Sequence, residues 1–426
     1  MILLFMLGGL LVLLALRVPV AISLLVPSLI YVVLDPTASL GIAVQRTVSG
    51  VNSFAILAVP LFILLGNVAN ISGLSDRLYA TAVAFLGHIR GSLGYVNIAT
   101  SFGFSWMSGA AIADAAAMGK IQVPAMKKRG YSEEFSLGIT GASSLIAPMI
   151  PPSIPAIIYA VTAGVSVGAL FMAGILPALV LIACLCAMVW WLMRNQRHLV
   201  LPRTGWAARG RSLLGSLPAL GAAVIILGGI LSGIFTPTEA AGIGVLYIFV
   251  IALIYGTLTW RKVYRILLGS VETTGSVLLI VAAAALFGWV LAREQAPQLA
   301  AEFILNFTSS PIVFLILVNV LLLIIGAVLE PTAAILILVP VLGPVAETFG
   351  ISPVHFGVVV IFNLLIGLLT PPVGLVLFVL SSVTNVPVTR VIKGVMPFFL
   401  PMLATLVIIT FVPALSMWLP ALLGFT

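Results

Sequence analysis

"SSLIAPMIPPSIP", residues 143–155, sets Pro148, Pro151, Pro152 and Pro155 into a segment otherwise apolar enough to lie in a membrane. Proline lacks a backbone donor and clashes with the preceding helical turn. In hydrocarbon an unpaired backbone group is costly, so irregular backbone survives only where protein, water or ions satisfy it. The cluster therefore marks an interrupted crossing rather than a spoiled one. A second stretch, "NLLIGLLTPPVG" (363–374), repeats the pattern: Pro371-Pro372 follows Leu365-Ile366 as Pro151-Pro152 follows Leu145-Ile146, 220 positions earlier.

The same shift pairs Pro124 with Pro344, Gly130 with Gly350, Gly174 with Gly394 and Pro177 with Pro397, without a gap. Most of these are the residues that set backbone geometry, which points to a duplicated fold. Composition agrees with a membrane setting. Of 426 residues, 62% are hydrophobic and only 7% charged, against roughly 25% charged in an average soluble domain. No polar segment is long enough to form an extramembrane domain.

Allowing roughly 20 residues per crossing, full crossings are expected near 2–16, 18–34, 52–72, 132–163 (interrupted) and 167–193. A second series is expected near 213–232, 236–257, 271–291, 352–384 (interrupted) and 389–419. Between the third and fourth crossing of each series lies a broken apolar stretch, 92–127 and 312–347, with "SWMSGAAIAD" and "GAVLEPTAA" at the breaks. Each reads as a re-entrant helical hairpin whose tip reaches mid-membrane. The expected fold is thus an all-α polytopic membrane protein of about ten crossings plus two re-entrant hairpins. Its first repeat spans 1–193, a basic linker 194–212, and its second repeat 213–426. Five crossings per half is an odd number, so the second copy enters from the opposite side, an inverted-topology plan common among secondary transporters.

All 19 Lys and Arg except Arg46 and Arg293 then fall on the side of the linker. The positive-inside tendency places that linker in the cytoplasm and both termini outside. The net charge of +8 is read as this topology signal, not as a nucleic-acid footprint. The start, "MILLFMLGGLLVLLALRVPVA", lacks a charged n-region and reads as a first helix rather than a signal peptide. Cys184 and Cys186 share one apolar run and read as packing residues. His88, His198 and His355 lie in or beside loops without mutual spacing, so neither metal binding nor a catalytic dyad is expected, and no enzyme activity is assigned. "GSLG" (91–94) lacks a nucleotide-binding context and no Walker-type sequence occurs.

Four breaks emerge: the tips at Ser108-Gly109 and Glu330-Pro331, and the interrupted crossings near Ser143 and Asn363. Each offers carbonyl oxygens for a hard cation and helix N-termini for an anion. Matching breaks in two inverted halves are where such transporters bind. The candidate sodium and substrate residues are Ser108, Gly109, Asp114, Ser143, Ser144, Pro151, Pro152, Glu330, Pro331, Thr332, Asn363, Gly367, Thr370, Pro371 and Pro372. Sodium is expected at the breaks near Ser143 and Asn363. The small polar residues could equally satisfy kinked backbone. Asp114, Glu239 and Glu330 each sit where a helix N-terminus stabilises negative charge, with capping the favoured role for Glu239. "SDRLYATAVAFLGHIRG" (75–91) could lie along the membrane interface as an arm.

The segments "SGAAIADAAAMGKIQVPAMKKRGY" (108–131), "APMIPPSIPAIIYA" (147–160), "GIFTPTEAAGIGVLY" (233–247), "EPTAAILILVPVLGPVA" (330–346) and "GLLTPPVGLVLFV" (367–379) together resemble one family. It is the DctM-type large membrane subunit of TRAP (tripartite ATP-independent periplasmic) transporters, and the likeness runs over essentially the whole chain. One departure is Trp106-Met107, where smaller residues would be expected before the tip. The resemblance implies an elevator-type secondary transporter of the bacterial inner membrane, driven by a Na⁺ gradient and without a cofactor. It implies import of a C4-dicarboxylate, keto acid or acidic sugar, a small four-helix membrane subunit, and a periplasmic substrate-binding protein. By the same likeness sodium is held by carbonyls and hydroxyls near Ser108, Ser143, Asn363 and Thr370. The competing readings are a stand-alone citrate or dicarboxylate carrier and a gated anion channel built on the same hairpins.

Overall fold

The computed structural model describes residues 2–196 and 199–425, so His198 lies outside the described residues. Every regular element among the described residues is helical. The first half runs α1 (Ile2–Ala15), α2 (Val20–Leu34), α3 (Leu40–Val51), α4 (Ala58–Ile71), α5 (Leu74–Leu86), α6 (Ser92–Ser108), α7 (Ala111–Lys128), α8 (Glu133–Ser144), α9 (Ile154–Ala163) and α10 (Val167–Met193). The second runs α11 (Trp206–Leu231), α12 (Pro237–Ile254), α13 (Trp260–Arg293), α14 (Ala296–Phe307), α15 (Pro311–Gly326), α16 (Pro331–Thr348), α17 (Pro353–Gly367), α18 (Leu375–Thr384), α19 (Val388–Val395), α20 (Phe399–Phe411) and α21 (Ala414–Leu422). A 3₁₀ turn, Met396–Phe398, joins α19 to α20.

The helix starts follow local chemistry. Ser132, Ser166 and Thr259 cap α8, α10 and α13 by accepting from the amide three residues on. Thr236 and Glu239 close a reciprocal capping box on α12, which confirms the capping role for Glu239. Pro124 and Pro344 stay inside α7 and α16, and Pro177 inside α10. The proline clusters interrupt helices, at 145–153 and 368–374. Six helical segments are long and apolar enough to cross a membrane, and two bent pairs, α4–α5 at 64° and α14–α15 at 118°, pass together. The chain is a multi-pass, all-helical membrane protein.

The 220-residue shift carries α7 onto α16 end for end, and α8, α9 and α10 onto α17, α18 and α19–α20. It also carries α5 onto α14, with a 64° bend where α5 leaves α4 in the first half and a 118° bend where α14 meets α15 in the second. One asymmetry was not expected. Where the first half has α3, a non-helical stretch and α4, the second has the single 34-residue helix α13, about 51 Å long. Three boundaries also differ from expectation. The linker is helical from Trp206, the crossing expected over 271–291 starts at Trp260, and that expected over 389–419 stops at Phe411 before a separate α21. Pro413, with Val412 already out of helical geometry, separates the last two.

Packing sorts the helices into two bundles. One comprises α1–α4 and α11–α13, with α13 against α2, α3 and α4, and α12 against α4 and α11, while α5 and α14 bridge the two bundles, α5 packing on both α11 and α6 and α14 mainly on α16. The other comprises both hairpins, both interrupted crossings and the helices that follow them. In it the halves interleave: α18 packs on α7, α19 on α8, α16 on α9, and α20 and α21 on α10. Glycines permit the closest crossings, as is usual between membrane helices. A Cβ on Gly138 would lie 2.0 Å from the Gly394 carbonyl oxygen, and one on Gly367 2.3 Å from that of Gly326. Gly138→Ala is therefore expected to force α8 from α19 and cost about 1–3 kcal/mol, read as a lowered Tm in detergent.

At the start of α8, Glu133 pairs with Lys127 and, at 3.0 Å, with Arg390 of α19. Hydrogen bonds from Lys127 and then Arg390 hold its carboxyl below the usual carboxylate range. A carboxyl lowered in the folded state stabilises the fold above the ordinary range, and that contribution is lost as pH falls through the folded value. Glu133→Gln is expected to lower Tm slightly at pH 7, with the gap to wild type closing as pH falls below the ordinary carboxylate range, in a thermal scan across pH.

Candidate functional site

Both hairpin tips and both interrupted crossings converge at the seam between the bundles. Each interrupted crossing is stitched to the tip of its own half by one backbone hydrogen bond: Ile154 N–H to the Gly109 carbonyl at 3.5 Å, and Val373 N–H to the Ala327 carbonyl at 3.3 Å. Gly109 sits at φ +59 and presents no Cβ to the Pro152 carbonyl oxygen, which would lie 2.5 Å away. The Pro151-Pro152 and Pro371-Pro372 bonds are both cis. Trp106 packs edge-on against Phe102, with centroids 5.7 Å apart, and Met107 is buried. The large residues before the first tip thus face into the bundle and leave the tip compact.

A cavity of about 370 Å³ opens where the parts meet. Tip one contributes Ser108 and Ala110–Ala113, tip two Glu330–Thr332, the first break Pro148 and Ile154-Pro155, and α17 Leu365. The facing wall belongs to the other bundle: Gly66, Asn67 and Asn70 of α4, and Thr273 and Val277 of α13. The three helix N-termini here differ. Ser153 caps α9, accepting from Ala156 N–H at 3.2 Å. Glu330 caps α16, accepting from Ala333 N–H at 3.2 Å and from the Thr332 hydroxyl at 2.8 Å. α7 has Ala110 as its cap residue and no side-chain cap, so its first N–H groups are left for whatever occupies the cavity. Ser108 beside them is buried with its Oγ unpartnered. Among the described residues, no Lys or Arg lines the cavity.

Behind tip one lies a buried polar cluster. Ser101 donates to Asp114 Oδ2 at 2.8 Å and lies 3.3 Å from Ser143 Oγ. Ser143 donates to Asn97 Oδ1 at 2.6 Å, and Asn97 to Thr140 at 2.7 Å. Asp114 has no exposed surface, and its Oδ1 has no partner among the described residues. Asp114 does not cap α7; its carboxylate turns to α6. Behind tip two, Asn363 donates to the Asn319 carbonyl at 3.0 Å and side chain at 2.7 Å, and Asn319 donates to Thr410 at 3.1 Å. Asn363 Oδ1 is likewise buried without a partner. The 220-residue shift pairs Ser143 with Asn363 but Asp114 with Ala334. One cluster carries a carboxylate and the other only neutral groups.

Other candidates are satisfied locally. The Ser144 and Thr370 hydroxyls donate to the carbonyls of Gly141 and Ile366 of their own helices. Gly367 makes its close approach to Gly326. Pro151 and Pro152 are buried, whereas Pro371, Pro372 and Val373 are exposed. Beside them a cavity of about 220 Å³ is lined by Glu330, Val328 and Gly367 on one bundle and Val20 of α2 on the other. His355 lies in the first turn of α17, at the loop edge as expected, and is buried against Ser416 at 2.6 Å. Sequence reasoning missed Asn97, Ser101, Thr140, Asn319, Thr410, Asn67 and Asn70. Their signal was polar residues at helical spacing in apolar helices, Asn67 with Asn70 and Asn97 with Ser101.

The family profile described as "Tripartite ATP-independent periplasmic transporter, DctM component" matches residues 7–415. The chain is 41% identical over 95% of both lengths to the sialic acid TRAP transporter large permease protein SiaM of Vibrio cholerae. It is 37% identical, over 98% of each chain, to the C4-dicarboxylate TRAP transporter large permease protein DctM of Rhodobacter capsulatus. It is also 37% identical, over 88% of each, to the 2,3-diketo-L-gulonate TRAP transporter large permease protein YiaN of Escherichia coli. Among solved structures, the Alcanivorax borkumensis YdaH transporter shares the fold with a TM-score of 0.62 at 17% identity, covering 95% of this chain and 97% of that one.

Proposed function

Because the chain belongs to the DctM component family of tripartite ATP-independent periplasmic transporters, a family of permease subunits and not of enzymes, we propose that it imports a carboxylate substrate driven by a Na⁺ gradient. The observation that carries this reading is the cavity walled by both hairpin tips on one side and by α4 and α13 on the other. The substrate carboxylate docks on the uncapped N-terminus of α7 beside Ser108, where the helix dipole and free N–H groups replace a basic residue. The relatives named for sialic acid, C4-dicarboxylate and 2,3-diketo-L-gulonate permeases are named for acids.

Sodium occupies the two buried clusters. Asp114 with Ser101 and Ser143 supplies a carboxylate and hydroxyls to one ion, and Asn363 with freed carbonyls of the second break supplies neutral oxygens to the other. A buried carboxylate without a basic partner calls for a cation. The bundle holding both tips is the moving transport domain, and α1–α4 with α11–α13 the scaffold. With the linker cytoplasmic, Val20 lies at the inner end of α2, and its place beside tip two supports a transport domain displaced inward. The two halves are inverted repeats in the bacterial inner membrane, with a small four-helix subunit on the scaffold and a periplasmic binding protein delivering substrate.

Proteoliposomes carrying the chain with its small subunit, and the binding protein outside, test this reading. Uptake of labelled acid is expected only with an inward Na⁺ gradient and all three components. Uptake without the binding protein would favour a stand-alone carrier, and conduction without stoichiometric Na⁺ movement a channel.

A further inference from the structure

The two walls of the cavity differ in chemistry. The transport-domain wall has one vacant anion-binding element, the N-terminus of α7 with the buried, unpartnered Ser108 Oγ. The corresponding element of tip two is already filled by the chain's own carboxylate, Glu330, which lines the same cavity. A second carboxylate on the substrate would meet that negative charge, with no Lys or Arg among the described residues of the lining to offset it. The scaffold wall is neutral and carries two side-chain amides. Asn67 and Asn70 stand three residues apart on α4 and so share a face. Asn67 is held through its Nδ2 by Ser270 Oγ at 2.9 Å, which leaves its amide oxygen to the cavity. Asn70 lines the cavity with its Oδ1 buried and unpartnered among the described residues, so that oxygen meets a substrate when the amide turns about its last bond.

From this we infer that the substrate is a monocarboxylate whose body carries hydroxyl or N–H donors, and that Asn67 and Asn70 are specificity-determining residues that accept from those donors. The inference rests on the reading of this cavity as the substrate site. The carboxylate is held at tip one and the donors reach across the seam to α4. A buried acceptor left unpartnered is costly, so a substrate that satisfies it is favoured over one that cannot. The volume agrees, since about 370 Å³ corresponds to roughly a dozen waters, more than a C4-diacid fills. Because α4 belongs to the scaffold, these contacts exist only in the inward-displaced position and act at the release step.

Calorimetric titration of the purified full chain in NaCl tests the inference, with N-acetylneuraminate and D-gluconate as hydroxylated monoacids and succinate as the diacid. At least one monoacid is expected to bind about tenfold tighter than succinate. Asn70→Ala is expected to weaken that monoacid about tenfold and leave succinate within about twofold. Asn70→Leu, of similar volume, is expected to behave alike and controls for an opened cavity. Succinate binding as tightly as the tighter of the two monoacids, or equal losses for both classes in the variants, overturns the inference and leaves the carboxylate site standing. Absence of binding by all three acids to folded protein in NaCl overturns the cavity reading as well.

Discussion

Asp114→Asn is expected to abolish Na⁺-driven uptake, by at least a hundredfold, while the protein inserts and folds. The substitution keeps the shape of the side chain and its contact with Ser101 at 2.8 Å but removes the charge. An ionised carboxylate without exposed surface and with one oxygen unpartnered is a burden on the Na⁺-free fold. Removing it therefore has opposite effects on the two states. The Na⁺-free variant should be more stable than Na⁺-free wild type, and added NaCl should no longer raise its Tm. Wild type gains about 2.7 kcal/mol at a hundredfold excess of ion over Kd. The test is a thermal scan in NaCl against KCl alongside uptake. A variant that retains its sodium response would remove Asp114 from the ion site.

The second large effect is expected at Gly109→Ala. An alanine at φ +59 carries the left-handed penalty of about 1–2 kcal/mol. Its Cβ would also lie 2.5 Å from the Pro152 carbonyl oxygen, a backbone atom that cannot swing aside. Tip one would be pushed off the first break, and the Ile154–Gly109 hydrogen bond with it. A shift near 1 Å at a binding site can cost about a hundredfold in rate, and uptake should fall to that degree. Gly73→Ala is the control. Gly73 is also left-handed, at φ +76, but its nearest new neighbour is 3.7 Å away, so only the backbone cost applies and uptake should survive. Equal losses in both variants would refer the effect to backbone strain alone.

The sequence made the breaks legible because proline clusters are costly in a membrane whatever surrounds them. The 220-residue shift found at Pro151-Pro152 and Pro371-Pro372 extends to almost every helix. Over 75–91 the sequence was compatible with an interfacial arm and equally with ordinary loop-and-helix structure, and α5 lies there. Less legible was the partition of polar residues. Ser144 and Thr370 carry the same hydroxyl as Ser143, but their hydroxyls return to their own helices. Whether a hydroxyl bonds back or faces a neighbour depends on which helix packs against it. The partners of Asp114 and Ser143 come from α6, thirteen and forty-two residues away along the chain. Asn67 and Asn70 were invisible for the same reason: only the seam between bundles brings α4 opposite the tips.

If the tips, breaks and clusters travel together past the scaffold, as proposed, tying the two bundles together away from the cavity must stop transport. Val20 of the scaffold and Val328 of tip two line the same small cavity. In a chain with Cys184→Ser and Cys186→Ser, the pair Val20→Cys and Val328→Cys is to be bridged with a short bifunctional thiol reagent and uptake measured in proteoliposomes. Bridging is expected to occur and to stop uptake, and cleaving the link to restore it. Full Na⁺-driven uptake by the bridged protein would contradict that movement.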